Sequence, residues 1–554
     1  MTDTDPNTAT PGSAAEDAAL VRKYLYDVHY RWQEIHAEGQ GGLDDPDRPP
    51  LFTRPAVPRR RYALPARPRH RLGPLGAALR EESGPSGAPR PASGAPGGPD
   101  PERLSALLFY GYGFSRMDAG PQVEWPWHRT VASARCFYPV ELALWSADAP
   151  EGVHRYDPAH HELSELRDDV GAKELAAAAA ADFDGARNVL VVTARLGKTA
   201  FRYRNYSYRL AAQEAGLVAG NLLVVASALG MRGQMRTRFL DEEVARLLAL
   251  PDDDSESVLA VLPLWDASEA PKEPGYRPAP VPSPSSSPER IVVPVAGGSG
   301  IDPVLSARML AVERASWLRD PAELAPVRPD ARVRPGEPEP SGVTAFDVPL
   351  APVRGESDVD TATAVVRRDS GPDVFLPTAE SLPLGTVSDL LLDAVRPLGD
   401  DLWHEIAPPE VGVHALVGAV DDLPRGHYRL VDGALRLVGR DDLRSRLQAM
   451  NVWRTEINAR TSPLLVAVTA YTEGLLEHHP GRAFRATQLS TGVVTQRISL
   501  AAAAHGLSAR VTNSYDAEEF ASLLGLDGER EIPVFLLVLG RPNAPWHLAT
   551  RLRP

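Results

Sequence analysis

The sequence predicts an α+β fold made of two copies of one domain, arranged as a pseudo-dimer within a single chain. The main observation is internal repetition: residues 209–250 align without a gap on residues 485–526, with twelve identical positions. The offset of 276 residues is close to half of the 554-residue chain and far exceeds the roughly 20–50 residues of a solenoid repeat. The order of predicted helices and strands also recurs in both halves. Duplication of a whole domain accounts for both observations.

Composition along the chain predicts four regions. The chain is long enough for two to four domains with large cores, at about 100–200 residues per domain. Its 53 prolines exceed the usual share of about 5% and mark loops and linkers. The expected regions are an N-terminal helix with a Pro/Arg-rich extension (1–99), a first domain (100–265), a Pro/Ser-rich linker with one helix (266–345) and a second, degenerate domain (346–554).

The first copy reads as a compact α/β unit behind an N-terminal helix at 18–38. Its predicted elements are a helix at 101–112, a strand at 140–145, a turn at 152–158, a helix at 173–183, a strand at 188–194, helices at 210–230 and 241–250, and a strand at 258–263. Small residues recur at three- and four-residue spacing in the helix at 210–230, which lets another helix approach closely.

The second copy repeats this order behind a helix at 303–318. Its predicted elements are a helix at 387–395, a strand at 413–417, a turn at 426–430, a strand at 464–468, helices at 488–506 and 517–526, and a strand at 532–539. The helix at 488–506 carries the same small-residue pattern. The two long helices are therefore expected to pack on each other.

Charge and cysteine content narrow the class of protein. The net charge of −14 argues against a general binder of nucleic acid or anionic membranes, whose affinity comes from phosphate neutralisation. Cys136 is the single cysteine, so no intrachain disulfide can form. The N-terminus lacks the basic and apolar regions of a signal peptide, and the apolar stretch 210–230 is interrupted by polar side chains. We therefore expect a cytoplasmic protein without a membrane or nucleic-acid partner.

Two segments of the first copy carry a family resemblance. Residues 129–139 read RTVASARCFYP and are followed by GVHRYDP at 152–158 and by a long match over 203–250. These segments resemble the motifs of SagB- and McbC-like azoline dehydrogenases, FMN-dependent members of the nitroreductase superfamily. The resemblance covers 100–265 and, more weakly, 360–540. It implies tandem nitroreductase-like, FMN-binding domains that oxidise thiazoline or oxazoline rings in a ribosomally synthesised peptide to azoles.

The resemblance also implies one FMN site divided between the halves. An arginine-rich segment grips the phosphate with bidentate hydrogen bonds; the first half has only a loose version at 59–61, and the second half lacks a Ser-Ala-Gly loop at 403–412. The implied ligands are Arg129, Ser133 and Ala134 facing the flavin ring, and Arg367, Arg368 and Ser370 holding the phosphate. A solvated arginine pair and an ordinary turn serine are the alternatives. Arg135 stands where the family has glycine.

Lys198 is the base that the resemblance implies. A lysine desolvated beside a flavin can have its pKa lowered enough to accept a proton, which arginine cannot do. Thr199 stands where the family has tyrosine, leaving Tyr203 or Tyr206 as substitutes, and the second copy has Gly474 at the position of the lysine. Lys198 with Tyr203 is therefore the expected catalytic pair. The alternative is a surface lysine at a strand end.

The implied partners are a precursor peptide with azoline rings and a cyclodehydratase, and pairing of two chains as a homodimer stays open. No metal is expected: the histidines at 154, 160 and 161 surround a predicted turn without the ligand spacing of a zinc site and are interpreted as solvated. Two other functions remain as alternatives, a flavin-free scaffold of a peptide-modifying complex and a nitroreductase that acts on small molecules with NAD(P)H.

Overall fold

The fold is known from a computed structural model of the chain. The residues that the structure describes are 14–31, 34–35, 59–66, 70–80, 98–120, 123, 126–251, 255–270, 291–293, 301–324, 347–351, 359–396, 411–450, 455–542 and 548–552. Residues 271–290 of the predicted linker region (266–345) and most of the segment 403–412 lie outside the described residues.

Helices and strands alternate in both halves. The helices are α1 Ala14–Tyr30, α2 Leu75–Leu79, α3 Pro101–Tyr112, α4 Ala172–Ala178, α5 Gly197–Tyr203, α6 Ser207–Ala228, α7 Asp241–Leu247, α8 Ala307–Ala315, α9 Thr361–Arg367, α10 Leu384–Leu392, α11 Arg444–Met450, α12 Glu473–His478, α13 Pro480–Ala504 and α14 Ala517–Leu524. The strands are β1 Arg61–Ala63, β2 Phe114–Ala119, β3 Trp127–Arg129, β4 Val140–Ser146, β5 Val153–Asp157, β6 Glu162–Arg167, β7 Asn188–Arg195, β8 Met231–Gly233, β9 Glu256–Asp266, β10 Asp347–Pro349, β11 Val411–Val417, β12 Gly426–Val431, β13 Ala434–Gly439, β14 Leu464–Tyr471, β15 Ser508–Thr512, β16 Glu531–Gly540 and β17 Leu548–Arg551.

The two large sheets have the same topology. The first has the strand order β1-β6-β5-β4-β7-β9-β8 and the second β10-β13-β12-β11-β14-β16-β15, so each strand of one sheet has a counterpart at the same place in the other. A third sheet, β17-β2-β3, joins the last strand of the chain to the first half. The α+β class and the tandem duplication are confirmed.

The long helices α6 and α13 cross at the centre of the pseudo-dimer. A Cβ atom on Gly216 would lie 2.3 Å from the carbonyl oxygen of Leu489, and one on Gly492 would lie 2.8 Å from the Cα atom of Gly216. Gly216 and Gly492 are equivalent positions of the repeat, so the crossing lies where the two copies are related to each other. The predicted packing of the small-residue faces is confirmed.

A pair of equivalent arginines ties each long helix to the other half. Arg209 donates to the carbonyl of Val28 at 2.8 Å and to that of Val534, on β16, at 3.1 Å. Arg485 donates to the carbonyl of Val258, on β9, at 3.1 Å. Because a buried guanidinium is costly without partners, these bonds fix each helix against the opposite sheet.

One sequence prediction about the sheets was wrong in both halves. The segments at 152–158 and 426–430, predicted as turns, contain the strands β5 and β12. The glycine at the start of each segment does turn the chain, since Gly152 has φ 100° and Gly426 has φ 156°. The residues after it are largely aromatic, apolar or basic and continue as strands inside the sheets. The turn signals in the sequence therefore marked only the point where the chain turns into each strand. The residues that follow belong to the strand itself.

The most apolar helical run is part of the core. Residues 197–228 contain an 18-residue window apolar enough to cross a membrane by composition, and 94% of that window is buried inside the fold. A helix buried to this extent packs against protein, as α6 does against α13.

Candidate functional site

The loop between β3 and β4, residues 130–139, has an unusual backbone. Arg135, Cys136 and Tyr138 all have left-handed conformations, with φ of 47°, 53° and 49°. Non-glycine residues occupy this region rarely and at a cost of order 1 kcal/mol or more, so such strain concentrates at functional sites. Arg135 stands where the resembling family has glycine, and it keeps a backbone conformation that glycine would favour.

Arg129 lies beneath this loop and is almost fully buried. Its guanidinium carbon lies 4.4 Å from the ring centroid of Tyr112, 5.1 Å from that of Phe114 and 4.9 Å from that of Tyr138. Its Nε and one terminal nitrogen have no hydrogen-bond partner among the described residues. Buried polar atoms are rarely left unpaired in native proteins, so these nitrogens indicate a ligand at this place.

The second half contributes Arg368 and Ser370 to the same place. Arg368 donates from Nε to the carbonyl of Thr130 at 2.8 Å and from a terminal nitrogen to the carbonyl of Arg129 at 3.2 Å. Its other terminal nitrogen lies 3.4 Å from Ser370 Oγ. The structure therefore brings these predicted residues from opposite halves together. Arg368 already uses all three of its nitrogens on the protein itself.

More arginines surround Asp369, which follows α9. We call Arg116, Arg367, Arg510 and Arg551 the basic cluster. Arg116 forms an ion pair with Asp369. The charges of Arg367, Asp369 and Arg116 act on the guanidinium of Arg551. Arg510 donates from Nε to the carbonyl of Ser370 at 2.7 Å. Arg367 is exposed. The sequence-predicted Arg367 thus belongs to a larger basic group that includes the last strand of the chain.

Arg510 was missed by the sequence analysis, although a signal existed. The repeat alignment pairs Arg510 with Gln234, so only the second half has a cation at this position. Arg551 gave no comparable signal, because its place beside β2 depends on the pairing of β17 across the chain.

Ser133 and Ala134 begin the short turn Ala134–Cys136 within the loop. Ser133 Oγ accepts a hydrogen bond from the backbone N–H of Tyr138 at 2.9 Å and is also hydrogen-bonded to Glu214. Burial raises the pKa of Glu214 to about 7 against these hydrogen bonds, and the phenol of Tyr112 donates to it at 2.9 Å. Glu214 is therefore a buried carboxyl that exchanges protons near neutral pH.

Lys198 is buried and paired, not a surface lysine. Its Nζ donates to a carboxylate oxygen of Glu141 at 2.6 Å and to the carbonyl of Tyr138 at 3.2 Å. Burial lowers the pKa of Lys198 although Glu141 opposes the shift. Burial alone would raise the pKa of Glu141, but the charges of Lys198 and Arg155 outweigh it and lower the pKa to about 2. Lys198 therefore contacts the loop 130–139 at the backbone of Tyr138. Its carboxylate partner, Glu141, is ionised.

A buried Thr-Glu-Arg group beside this pair is kept in both halves. Thr193 Oγ1 donates to Glu256 at 2.6 Å, and Arg155 pairs with the same carboxylate at 2.8 Å. The strand register gives the counterparts in the second sheet, which make the same contacts: Thr469, Glu531 and Arg429. This group is a shared structural feature of the two copies.

The Lys-Glu pair itself exists only in the first half. Glycine occupies both equivalent positions in the second half, Gly412 for Glu141 and Gly474 for Lys198. A Cβ atom on Gly412 would lie 2.2 Å from Thr469 Oγ1, so the second copy has no room for a side chain there. Both members of the pair are absent together.

The two candidate tyrosines lie elsewhere on the same segment. Tyr203 packs against Phe137, with ring centroids 6.3 Å apart, and hydrogen-bonds to Arg135. Tyr206 is buried beneath the guanidinium of Arg209 at 5.4 Å. Among the described residues, neither phenol contacts Lys198 Nζ. Tyr203 therefore touches the loop through Arg135 and Phe137 rather than through the lysine.

The arginine run at 59–61 is not a counterpart of the phosphate-binding segment, so that interpretation was wrong. Arg61 lies on the edge strand β1, opposite Ser164. The counterpart of α9 is α2, because the chain before each helix pairs with the other: Leu75 N–H donates to the carbonyl of Val359 at 2.9 Å and Thr361 N–H to that of Gly73 at 3.0 Å. Basic composition alone had suggested the match.

The interpretation of the histidines was also partly wrong. His154 is fully buried in β5, and burial lowers the pKa of His161 to about 4. Only His160 lies on an exposed turn, where its ring nitrogen is 3.0 Å from Asp157. Asp157, His160 and Glu162 place ligand atoms within 4.8 Å of one another, an arrangement that exposed acidic turns often have without an ion.

Comparisons with known proteins identify the family. The sequence profile of the Nitroreductase family matches residues 115–264 and 423–541, one segment in each half. A Methanocaldococcus jannaschii protein named as a nitroreductase is 30% identical over 154 residues, which are 27% of this chain and 74% of that protein. Bacillus subtilis YdgI, named as an NAD(P)H nitroreductase, is 36% identical over 89 residues, 16% of this chain and 41% of that protein.

A solved structure shows the same fold over nearly the whole chain. The crystal structure of an Anabaena variabilis protein, described as a nitroreductase, superposes with a TM-score of 0.67 at 18% identity, covering 93% of this chain and 100% of that chain. The chain is a tandem α+β protein of the nitroreductase class. It belongs to the nitroreductase family, a family of oxidoreductases.

Proposed function

We propose that this chain is an FMN-dependent dehydrogenase that oxidises thiazoline or oxazoline rings in a ribosomally synthesised peptide to thiazoles or oxazoles. The motif at 129–139 supports this substrate class through its resemblance to azoline dehydrogenases. The observation that carries the proposal is the buried pair of Lys198 and Glu141 directly beside that loop, present in the first half alone. Removal of a ring proton requires a base in such a place.

The residues at the site fit FMN. Arg129 has two buried nitrogens without a described partner, which suits the polar edge of a flavin ring, and Ser133 and Ala134 lie on the adjoining loop. Arg367 and the other arginines of the basic cluster supply cations suited to a phosphate, and Ser370 supplies a hydroxyl. Arg368, whose nitrogens are bonded to the protein itself, adds its positive charge at the same place. When bound, FMN supplies a hydride acceptor. One composite site per chain is expected, since Gln234 replaces Arg510 in the other possible site.

The side chains around Lys198 suit proton removal from the ring carbon next to the one that loses hydride. Glu141 orients Nζ, and burial lowers the pKa of Lys198, which brings the amine closer to a working base. Glu214, whose pKa is raised to about 7, lies in the electrostatic field of Lys198 and is suited to pass the proton on. Tyr203, which is hydrogen-bonded to Arg135 of the same loop, would assist this proton removal.

The proposal includes the partners that this chemistry needs. The substrate is a precursor peptide whose azoline rings are made by a cyclodehydratase, and we place the reaction in the cytoplasm. A homodimer of the chain is compatible with it. A nitroreductase acting on small molecules is the second candidate, favoured by the likeness to YdgI.

The proposal is tested with the full chain, FMN and an azoline-containing peptide. Mass spectrometry should show the loss of one hydride and one proton from a ring, with little flavin reduction by NADPH in the absence of peptide. Rapid reduction by NADPH without peptide oxidation would support the small-molecule nitroreductase. If the chain binds no FMN and oxidises no peptide, the result would contradict the proposal and support the flavin-free scaffold.

A further inference from the structure

Cys136 belongs to a second group of reactive side chains at the edge of the loop. Its Sγ lies 3.7 Å from His128 Nδ1, and His128 Nε2 lies 2.9 Å from a carboxylate oxygen of Asp118. The pairing of β2 with β3 places Arg116 opposite His128 and Asp118 two residues further along β2, and the turn after β3 returns Cys136 to the same histidine. We call these residues the thiol triad, since a nucleophile, an imidazole and an orienting carboxylate follow in series.

The imidazole of the thiol triad carries a positive charge at neutral pH. Burial alone would lower the pKa of His128, but hydrogen bonds to Asp118 and Cys136 outweigh it and raise the pKa to about 9. Asp118 is only 6% exposed and His128 17% exposed, while Cys136 is half-buried. The imidazolium is therefore fixed beside the sulfur of a half-buried residue.

Other groups facing the sulfur are mostly cationic. The phenol of Tyr138 is hydrogen-bonded to Cys136, and the guanidinium groups of Arg368 and Arg510 act on it through space. The nearby carboxylates, Asp118 and Asp369, both pair with Arg116. Cationic surroundings of this kind are those in which protein thiols become reactive. They also attract anionic reagents.

We propose that Cys136 is a covalent modification site that forms a mixed disulfide with an anionic low-molecular-weight disulfide. Sγ attacks one sulfur of the reagent, and the new S–S bond forms as the original S–S bond breaks. The proton of the Cys136 thiol is released to solvent, since His128 is already protonated, and the second sulfur of the reagent departs as a thiolate, so the disulfide is the only oxidant required. Because the chain has no second cysteine, the adduct persists until an external thiol reduces it. Neither FMN nor an azoline takes part.

The test uses the full chain and dithiobis(nitrobenzoate), a dianionic disulfide that releases a coloured thiolate. The chain has one cysteine, so all released colour reports on Cys136. At pH 7 the rate constant should exceed that of N-acetylcysteine by about tenfold or more, and added salt should reduce this advantage. With neutral dithiodipyridine the advantage should be smaller. A rate constant equal to or below that of N-acetylcysteine would overturn the proposal.

Variants separate the thiol triad from simple exposure. His128→Gln and Asp118→Asn should each lower the rate constant about tenfold, whereas His160→Gln, on an exposed turn, should leave it unchanged. Equal rates for a folded His128→Gln variant and the wild type would refute the role of the imidazole. If that variant does not fold, the comparison of the wild type with N-acetylcysteine still decides the proposal.

Discussion

Replacement of Asp241 by alanine should strongly destabilise the contact between the halves. Asp241, on α7 of the first half, accepts hydrogen bonds from Arg482 at 3.1 and 2.5 Å and from Arg485 at 2.8 Å, both on α13 of the second half. All three side chains are almost fully buried. Breaking a buried ion pair costs about 3–5 kcal/mol, because the remaining charge is left uncompensated. Glu313, 3.9 Å from Arg485, compensates only one of the two arginines.

Urea unfolding measures this loss without adding salt, which would screen the charges. Asp241→Ala should lower the free energy of unfolding by about 3–5 kcal/mol. Glu242→Ala is the matched control, since Glu242 is the next residue, has a 63% exposed side chain and lies 3.7 Å from Arg319. Its change should stay below about 1 kcal/mol. A loss below about 1 kcal/mol for Asp241→Ala would show that the cluster does not hold the halves together.

Three other results are expected. Gly216→Ala should lower the free energy of unfolding by about 1–3 kcal/mol through overpacking, whereas Gly474→Ala, with no atom within 4 Å of the added Cβ, should be neutral in the same urea assay. Burial lowers the pKa of His427 in the folded protein to about 3, below its unfolded value of about 6.5. Between these two pH values the unfolded state therefore binds more protons than the folded state. Thermal stability should be full above about pH 6.5 and fall as the pH drops toward 3. Lys198→Met should retain FMN absorbance and lose azole formation by mass spectrometry, and retained oxidation would exclude the lysine as the base.

The sequence was informative where signals were local or repeated. The ungapped alignment predicted α6, α13 and their packing, because Gly216 and Gly492 recur at equivalent positions of a periodic pattern. The family resemblance implied that residues from both halves share one place, and Arg368 does bind the backbone at Thr130. Such features depend on patterns within a few turns of helix or on similarity between the copies.

Contacts between distant segments could not be predicted in the same way. Glu141 looked like an ordinary strand residue, and only the fold shows that it pairs with Lys198 at 2.6 Å. Arg551 approaches the site because β17 crosses to the first half. The arginine run at 59–61 was wrongly matched to a phosphate-binding segment, because basic residues occur both on edge strands and at phosphate sites. Pairing across the chain, which sequence periodicity does not record, decided each of these cases.

The most direct test of a single divided active site is the number of FMN molecules bound per chain. Equilibrium dialysis of the full chain, read by flavin absorbance, should give one FMN per chain, and Arg510→Gln should weaken the binding because the second half supplies part of the site. The matched variant Gln234→Ala, at the equivalent position of the first half, should bind FMN as the wild type does. Two FMN molecules per chain, or equal effects of the two variants, would contradict the account.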